Sequence, residues 1–242
     1  MPSIYLKGVS INYQKLGRGQ PIILLHGIFA DSRSYEGLIR ILSRRYCMYA
    51  IDLPMHGKSE SPKNHVSISG FSLISKDFIN KLKIKNPLLC AHSAGCLIAF
   101  EYASKYRVKE LVLIDPAGLI FFRRKFTLFY KFLIKTSLNI LRNPVKSLKI
   151  IKIGLYNFSR NIFNSNFWTL VDDNYKKDYS RKIKEIKCPI RVFWGRYDEL
   201  FPFKKAKQIQ QSLKNLEFIP VYGGHDWPIF RPEEIKKYTK TI

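Results

Sequence analysis

The segment Ala91-His92-Ser93-Ala94-Gly95 places a serine at the predicted junction of a buried strand and a helix. It differs from the nucleophile motif G-x-S-x-G only in having alanine at the first glycine. This motif forms a sharp turn that exposes the serine hydroxyl, and its flanking residues must be small so that strand and helix can approach. Ala91, Ala94 and Gly95, the flanking residues that must be small, are all small. The segment therefore predicts that Ser93 is a nucleophile.

A serine nucleophile needs a base, and the sequence contains five histidines. Four are poorly placed, because they lie in the middle of the turn, in a polar loop or in His-Gly pairs directly after strands: His92, His65, His26 and His56. His225 follows the last apolar segment, where Gly223 and Gly224 give the loop freedom to turn a side chain inward. We predict that His225 is the base.

A carboxylate must orient that base, and two aspartates compete for this role. Asp198 follows the apolar segment PIRVFWG, and Asp115 follows the preceding one, ELVLI. The order Ser93, Asp198, His225 is the Ser…Asp…His order that accompanies this type of turn in one particular fold. The chain order therefore favours Asp198, with Asp115 as the competitor.

Two backbone N–H groups are expected to hold the oxyanion of the transition state. One belongs to Ala94, the residue after the nucleophile, and the other to Ile28, in the loop after LLHG. Donors of this kind contribute roughly 3–4 kcal/mol each when water is excluded. Such chemistry needs no metal and no organic cofactor, and the four cysteines show no metal-binding spacing.

The elements that must position these residues are predicted from alternating apolar and helical segments. Short apolar segments predict strands buried on both faces at 21–27, 46–54, 87–93, 110–118, 189–198 and 216–225. An alternating segment before them predicts a hairpin. Helical patterns lie at 34–45, 71–83, 94–105, 203–213 and 232–240. The alternation predicts an α/β fold with a doubly wound, mostly parallel sheet.

The alternation stops between 119 and 185, where helical patterns follow one another without a strand. Pro144 is expected to start a helix and Gly154 to end one. We predict that residues 1–118 and 186–242 form the core and that 119–185 form a helical cap over the carboxyl edge of the sheet, where such folds place their sites.

The whole chain resembles the α/β-hydrolase family, and within it the capped serine esterases and lipases. The resemblance rests on six segments in the family's order: LLHGIFADS (24–32), DLPMHGKS (52–59), AHSAG (91–95), LIDPAG (113–118), GRYDELFP (195–202) and GGHDWP (223–228). Met55 stands where the family has glycine. The resemblance implies ester hydrolysis through an acyl-enzyme, and serine at 93 distinguishes the chain from family members that carry aspartate there.

Three other functions fit the same resemblance. A C–C bond hydrolase would use the same triad. An esterase for acyl groups on acyl carrier protein, similar to the pimeloyl-ester esterases, would use basic cap residues. A non-catalytic binding protein of this fold is the third alternative, and the presence of all three triad residues argues against it.

The charge of +24 favours anionic partners, although an AT-rich genome could also produce a Lys-rich composition. From Pro116 to Val171 there are basic residues but no Asp or Glu. A basic amphipathic cap could meet an anionic membrane or an acidic carrier protein through Arg123, Arg124, Lys125, Lys131 and Lys135, or could simply pack on the core with its charges solvated. The absence of a nucleic-acid-binding motif argues against nucleic acid. The chain is expected in the cytoplasm, where it could also bind the membrane surface peripherally.

Overall fold

The apolar segments form an eight-stranded sheet in the described residues, which are 1–120, 125–212 and 216–238 of this computed structural model. The strands are β1 (Ser3–Leu6), β2 (Val9–Leu16), β3 (Gln20–Leu25), β4 (Tyr46–Ile51), β5 (Leu88–His92), β6 (Glu110–Ile114), β7 (Ile190–Gly195) and β8 (Leu216–Val221). Their order is β1-β2-β4-β3-β5-β6-β7-β8. The hairpin β1–β2 and the pair β2–β4 are antiparallel, and the other pairs are parallel. The predicted fold class is confirmed.

The central strands contribute to two apolar cores, one on each face of the sheet. In β3, Ile23 and Leu25 belong to one core, whereas Ile22 and Leu24 belong to the other. Successive side chains of a strand point to opposite faces, so a strand covered on both sides must be apolar at every position. This requirement explains why the sequence shows continuous apolar segments.

Helices cover both faces of the sheet. They are α1 (Glu36–Leu42), α2 (Ile68–Lys81), α3 (Gly95–Ala103), α4 (Lys125–Arg142), α5 (Pro144–Asn161), α6 (Ser165–Lys176), α7 (Phe203–Ser212) and α8 (Trp227–Phe230). The helix predicted over 232–240 is a 3-10 helix over Pro232–Tyr238, as far as the structure describes it. Among the helices of the described ranges, none has both the length and the apolar composition needed to cross a membrane.

Helices α4, α5 and α6, called the inserted helices below, lie between β6 and β7 and contact loops at the carboxyl edge of the sheet. The Phe29 ring, after β3, lies 5.7 Å from the Phe132 ring of α4 and 5.4 Å from the Phe167 ring of α6. Arg160 of α5 donates to the Gly57 carbonyl, after β4. The division into a core and a cap stays a prediction.

Helix α5 begins at Pro144 as predicted, but it does not end at Gly154. It continues through two further turns, on which Asn157 accepts a hydrogen bond from the Gly57 N–H and Asn161 donates to the Met55 carbonyl. These tertiary contacts offset the roughly 0.5–1 kcal/mol cost of a glycine inside a helix. A local stop signal is therefore overridden by the packing of the helix on the loop below it.

Candidate active site

The carboxyl ends of β5, β7 and β8 bring three of the predicted site residues together. Ser93 directly follows β5, Asp198 lies shortly after β7, and His225 lies shortly after β8. Parallel neighbouring strands end at the same edge of the sheet, so residues far apart in the sequence meet there.

The turn after β5 holds Ser93 in the left-handed region, with φ of +51°. The Ser93 N–H donates to the Ile114 carbonyl at 3.0 Å, and the Cys96 N–H donates to the Ser93 carbonyl at 3.0 Å. Phe29, Met55 and Asp115, which follow β3, β4 and β6, also have positive φ. Such backbone strain in residues other than glycine is held in place by the surrounding structure and clusters at functional sites. Met55, which stands where the family has glycine, thus adopts a backbone conformation that glycine favours.

Gly95 allows α3 to start directly behind this turn, and Gly95→Ala is expected to destabilise the protein. A Cβ at Gly95 would lie 2.6 Å from the Leu25 carbonyl oxygen and 2.7 Å from that of His26, so strand or helix would have to shift. We expect a loss of about 1–3 kcal/mol in the free energy of unfolding, measured by urea denaturation. The control is Gly154→Ala, where the nearest atom would lie 3.7 Å away. An unchanged urea midpoint for Gly95→Ala, with Gly154→Ala destabilised, would contradict this account.

Ser93, His225 and Asp198 form a continuous chain of hydrogen bonds. Ser93 Oγ and His225 Nε2 are 2.9 Å apart, and His225 Nδ1 and Asp198 Oδ2 are 2.9 Å apart. The side chains of His225 and Asp198 are 2% and 0% exposed. Because a carboxylate only accepts hydrogen bonds, the proton of a neutral imidazole belongs on Nδ1. Nε2 is then the acceptor for the Ser93 hydroxyl, as a general base must be.

The second oxygen of Asp198 is held by the backbone. Oδ1 accepts hydrogen bonds from the N–H groups of Leu200 and Phe201, both at 2.8 Å. Two N–H donors on one oxygen fix the orientation of the carboxylate and leave Oδ2 facing the imidazole. Asp198 is thus held as a rigid acceptor behind the imidazole.

Asp115, the competing acid, is also buried beside this site but does not hold the histidine. Its Oδ1 accepts a hydrogen bond from the Gly195 N–H at 2.7 Å, and its Oδ2 has no hydrogen-bond partner among the described residues. Burial, together with the negative charge of Asp198, raises the pKa of Asp115 well above its usual range. Asp115 is therefore harder to ionise than an ordinary aspartate, and its hydrogen bond goes to the backbone rather than to His225.

Ile28 and Ala94 line one small cleft next to Ser93, together with His26, Gly27, Leu53, His56, Gly95, Ile98 and Leu170. A Cβ at Gly27 would lie only 3.2 Å from the Cβ of Ser93, so the loop after β3 approaches the nucleophile closely. The structure therefore brings the two predicted oxyanion donors to the same place, and their role stays a prediction.

A buried network that the sequence did not indicate links this loop to the catalytic histidine candidate. The Gly27 N–H donates to Tyr35 Oη at 3.1 Å, and Tyr35 Oη and His92 Nδ1 are 2.6 Å apart. His92 Nε2 lies 3.0 Å from the carbonyl oxygen of His225. Burial, and then the neighbouring His225, lower the pKa of His92 to about 3, so its ring is neutral. Its Nε2–H therefore donates to that carbonyl, and its Nδ1 accepts from Tyr35.

Tyr35→Phe is expected to lower the free energy of unfolding by about 1–3 kcal/mol, because the Gly27 N–H and His92 Nδ1 would be left buried without a partner. Urea denaturation measures the change. The matched control is Tyr5→Phe, since Tyr5 is 67% exposed. Equal unfolding midpoints for the two variants would show that the Tyr35 hydroxyl contributes nothing to the network.

Asp226, next to His225, is tied to helix α4. Lys135 Nζ lies 2.8 Å from Asp226 Oδ2, and Asn139 Nδ2 donates to the same oxygen at 2.9 Å. Burial alone would raise the pKa of Asp226, but the Lys135 ammonium in contact with its carboxylate lowers it to about 2. A buried ion pair thus holds an inserted helix against the loop that carries His225.

This placement corrects part of the predicted basic partner surface. Lys135 is buried, and Lys131 is half-buried, with its Nζ donating to the Glu199 carbonyl at 2.6 Å. Both lysines bind the core of the molecule, because the loops after β7 and β8 offer oxygen atoms beneath α4. Of the remaining predicted residues, Arg123 and Arg124 lie outside the described residues, as does the side chain of Lys125.

Two groups of buried side chains have the composition of metal ligands: His92 with His225 and Asp226, and Asp115 with Asp198 and His225. Hydrogen bonds already account for most of their ligand atoms. His225 uses both ring nitrogens within the triad geometry, and Asp226 is neutralised by Lys135. These hydrogen bonds and this ion pair occupy most of the atoms that a cation would need.

Comparison with known proteins gives matches over different parts of the chain. A family model described as alpha/beta hydrolase fold matches residues 20–137. An uncharacterized protein of Mycobacterium bovis is 30% identical over 105 residues, which make up 43% of this chain but only 31% of that relative. Monoacylglycerol lipase abhd6-B of Xenopus laevis is 23% identical over 272 residues, covering 95% of this chain and 81% of the relative.

Among solved structures, the enol-lactonase of Burkholderia xenovorans LB400 superimposes with a TM-score of 0.83 at 19% identity. The match covers 99% of this chain and 97% of that one. At this level of identity the likeness shows the fold alone.

Proposed function

We propose that this chain, which belongs to the α/β-hydrolase fold family, is a serine hydrolase that cleaves carboxylic esters through an acyl-enzyme. The observation that carries the proposal is the hydrogen-bonded series Ser93–His225–Asp198, with 2.9 Å at each of its two links. A nucleophile in contact with a base, and that base in contact with an orienting carboxylate, is the arrangement required for acyl transfer.

The first half-reaction transfers the acyl group from the ester to Ser93, and His225 acts in it first as a base and then as an acid. Ser93 Oγ attacks the ester carbonyl carbon while its proton passes to His225 Nε2. The carbonyl oxygen becomes an oxyanion, which the N–H groups of Ile28 and Ala94 stabilise. When the tetrahedral intermediate collapses, the bond to the alcohol oxygen breaks and the imidazolium gives that oxygen its proton. Asp198 keeps the ring oriented and stabilises its charged form.

The second half-reaction returns the enzyme to its starting state. A water molecule gives a proton to His225 Nε2 and attacks the acyl carbon. The intermediate collapses, Ser93 leaves with the proton from the histidine, and the carboxylic acid is released. No group other than the described side chains and backbone amides is needed for this proposal.

An apolar acyl chain is the substrate feature that the surroundings favour. Leu53, Ile98 and Leu170 line the cleft with Ile28 and Ala94, beside His26 and His56. The cleft is too narrow for a water molecule in this structure, so it would have to widen to admit an acyl chain. Beyond it, the Phe29 ring contacts rings of all three inserted helices, those of Phe132, Phe158 and Phe167. Similarity to a relative named as a monoacylglycerol lipase also supports a substrate with an apolar acyl chain. The C–C bond and carrier-bound ester alternatives would use the same triad, and no contact among the described residues favours either.

Hydrolysis of p-nitrophenyl esters of increasing chain length tests the proposed function. We expect kcat/KM to rise by about tenfold or more from the acetate to the hexanoate, because each buried methylene adds favourable transfer free energy. A meta-cleavage-type diketone and an acyl carrier protein ester serve as comparison substrates. Failure to hydrolyse any simple ester, combined with turnover of either comparison substrate, would overturn the ester proposal. The predicted cytoplasmic location stays a prediction.

A further inference from the structure

Helix α5 presents a mixed polar and apolar face to the protein, including Ile153 and Phe158, and a second row of mostly apolar side chains to solvent. Its buried residues include three polar ones, Ser147, Asn157 and Asn161. The exposed positions at spacings of three and four residues are Val145, Leu148, Lys152, Leu155 and Ser159. Such spacing places these side chains on one face of a helix, and a surface helix normally buries its apolar stripe. The inward face of α5 already buries Ile153 and packs Phe158 against the core, so the exposed Val145, Leu148 and Leu155 are additional apolar side chains on its outer face.

The orientation of α5 is fixed by its inner face. Asn157 accepts from the Gly57 N–H at 2.8 Å and donates to Asp31 Oδ2 at 3.2 Å, and Asn161 donates to the Met55 carbonyl at 2.6 Å. Rotating the helix to bury its apolar stripe would break all three contacts and leave buried polar groups without partners. The exposed stripe is thus a feature of the folded state.

The ends of α5 extend the apolar surface. Leu141, just before the helix, is 78% exposed, Val145 in its first turn is 83% exposed, and Phe163, just after it, is 97% exposed. Exposed large apolar side chains of the inserted helices, and of the connection between α5 and α6, also include Tyr130, Leu133, Ile134, Ile140, Tyr156, Ile162 and Trp168. Apolar surface concentrated on one part of a molecule in this way marks an interaction site.

The charge around this surface selects its partner. From Pro116 to Val171 the chain has no acidic residue, and Lys152 is exposed within the stripe. Lys149 and Arg160 are exposed beside it, although Lys149 also pairs with Glu36 and Arg160 donates to the Gly57 carbonyl. A second copy of the chain would bring the same positive charge to the contact. An acidic protein surface would meet the cations but offer little apolar area to the aliphatic side chains. An anionic bilayer offers both, since headgroups attract cations and acyl chains accept aliphatic and aromatic side chains.

We propose that the outward face of α5, defined by Val145, Leu148, Lys152 and Leu155 with Leu141 and Phe163 at its ends, is a docking surface for anionic lipid bilayers. It differs from the basic surface expected on α4, whose Lys131 and Lys135 bind the core instead. Docking on this face would bring the inserted helices, and the apolar cleft beneath them, to the membrane surface. The inference goes beyond the proposed chemistry, because binding requires no turnover.

Vesicle co-sedimentation of the full chain carrying Ser93→Ala tests the inference without hydrolysis. The vesicles contain equal parts of phosphatidylcholine and phosphatidylglycerol, and pure phosphatidylcholine vesicles serve as reference. We expect binding to the anionic vesicles, and the pair Leu148→Gln and Leu155→Gln should weaken it by about tenfold or more. Lys152→Glu should weaken it by about fivefold or more.

Matched controls carry equivalent changes on other parts of the molecule. Tyr5→Gln with Leu16→Gln removes exposed apolar side chains from the β1–β2 hairpin. Lys85→Glu reverses an exposed charge near the amino end of β5, at the opposite edge of the sheet. The apolar control should bind vesicles like the parent, and Lys85→Glu should lose less than Lys152→Glu. Activity of the Leu148→Gln, Leu155→Gln pair with Ser93 intact, measured on a water-soluble ester, should be unchanged.

Three results would overturn the inference. The first is absence of binding to the anionic vesicles. The second is equal binding by the parent and the Leu148→Gln, Leu155→Gln pair. The third is a vesicle-independent contact that this pair abolishes, either dimerisation in size-exclusion chromatography or binding to purified acyl carrier protein, while vesicle binding persists. A catalytically inactive wild type that still docks would count against the proposed hydrolase and in favour of the docking surface.

Discussion

Ser93→Ala is expected to lower kcat for p-nitrophenyl ester hydrolysis by a factor of about 10⁵ or more, as removal of a serine nucleophile does when the triad acts as a unit. The change removes only the hydroxyl, so Ser93 Oγ no longer lies 2.9 Å from His225 Nε2 and no acyl-enzyme can form. Steady-state kinetics measure the loss. The urea midpoint should stay close to that of the wild type, because alanine fits the same small turn.

A matched serine change separates this role from a general effect of altering a buried hydroxyl. Ser72 is buried in α2, and its hydroxyl has no hydrogen-bond partner among the described residues. Ser72→Ala should leave kcat within about twofold of the wild-type value, since substitutions away from the site act only through small changes in packing. Comparable activity of Ser93→Ala and the wild type would refute the assignment of the nucleophile.

Asp198→Asn is expected to lower kcat by about 10⁴-fold, the size of effect seen when an amide replaces the carboxylate that orients a triad histidine. An amide nitrogen in place of Oδ2 would donate toward His225 Nδ1 and favour the wrong tautomer of the ring. The proton would then occupy Nε2, which could no longer accept from the Ser93 hydroxyl. The same ester assay measures the change.

Asp115→Asn provides the matched comparison at the competing aspartate. Because burial and the charge of Asp198 raise the pKa of Asp115 and so favour its neutral form, an amide of the same shape should replace it with a loss in kcat of less than about tenfold. The opposite ranking, with the larger loss at Asp115, would transfer the orienting role to that residue.

The sequence was most informative where chemistry and backbone geometry restrict residue choice. Continuous apolar segments predicted the parallel strands because side chains on both faces of those strands are covered. The small residues around Ser93 predicted a sharp turn, and φ of +51° at this serine shows how tight it is. Asp198 and His225 were predicted from the chain order Ser…Asp…His and from their positions after apolar segments. The three residues meet because the parallel strands end at one edge of the sheet.

The features that the sequence did not predict depend on tertiary contacts. Tyr35 fits the apolar pattern of its segment, and nothing local indicates that its hydroxyl bridges Gly27 and His92. A lysine on an amphipathic helix is expected to face solvent. Lys135 is buried instead, because the loop after β8 supplies the carboxylate of Asp226 as its partner. Glycine often ends a helix, but α5 continues past Gly154 because Asn157 and Asn161 bind the loop after β4. Each of these outcomes depends on a partner distant in the sequence.

Covalent labelling of Ser93 tests the central claim most directly. A fluorophosphonate reacts with a serine that a neighbouring base has activated, and peptide mass spectrometry identifies the residue that carries the adduct. We predict one phosphonyl adduct, on the peptide that contains Ser93, and its loss in both Ser93→Ala and His225→Ala. An adduct on another residue, or an unlabelled wild-type protein, would contradict the assignment of Ser93 as a nucleophile activated by His225.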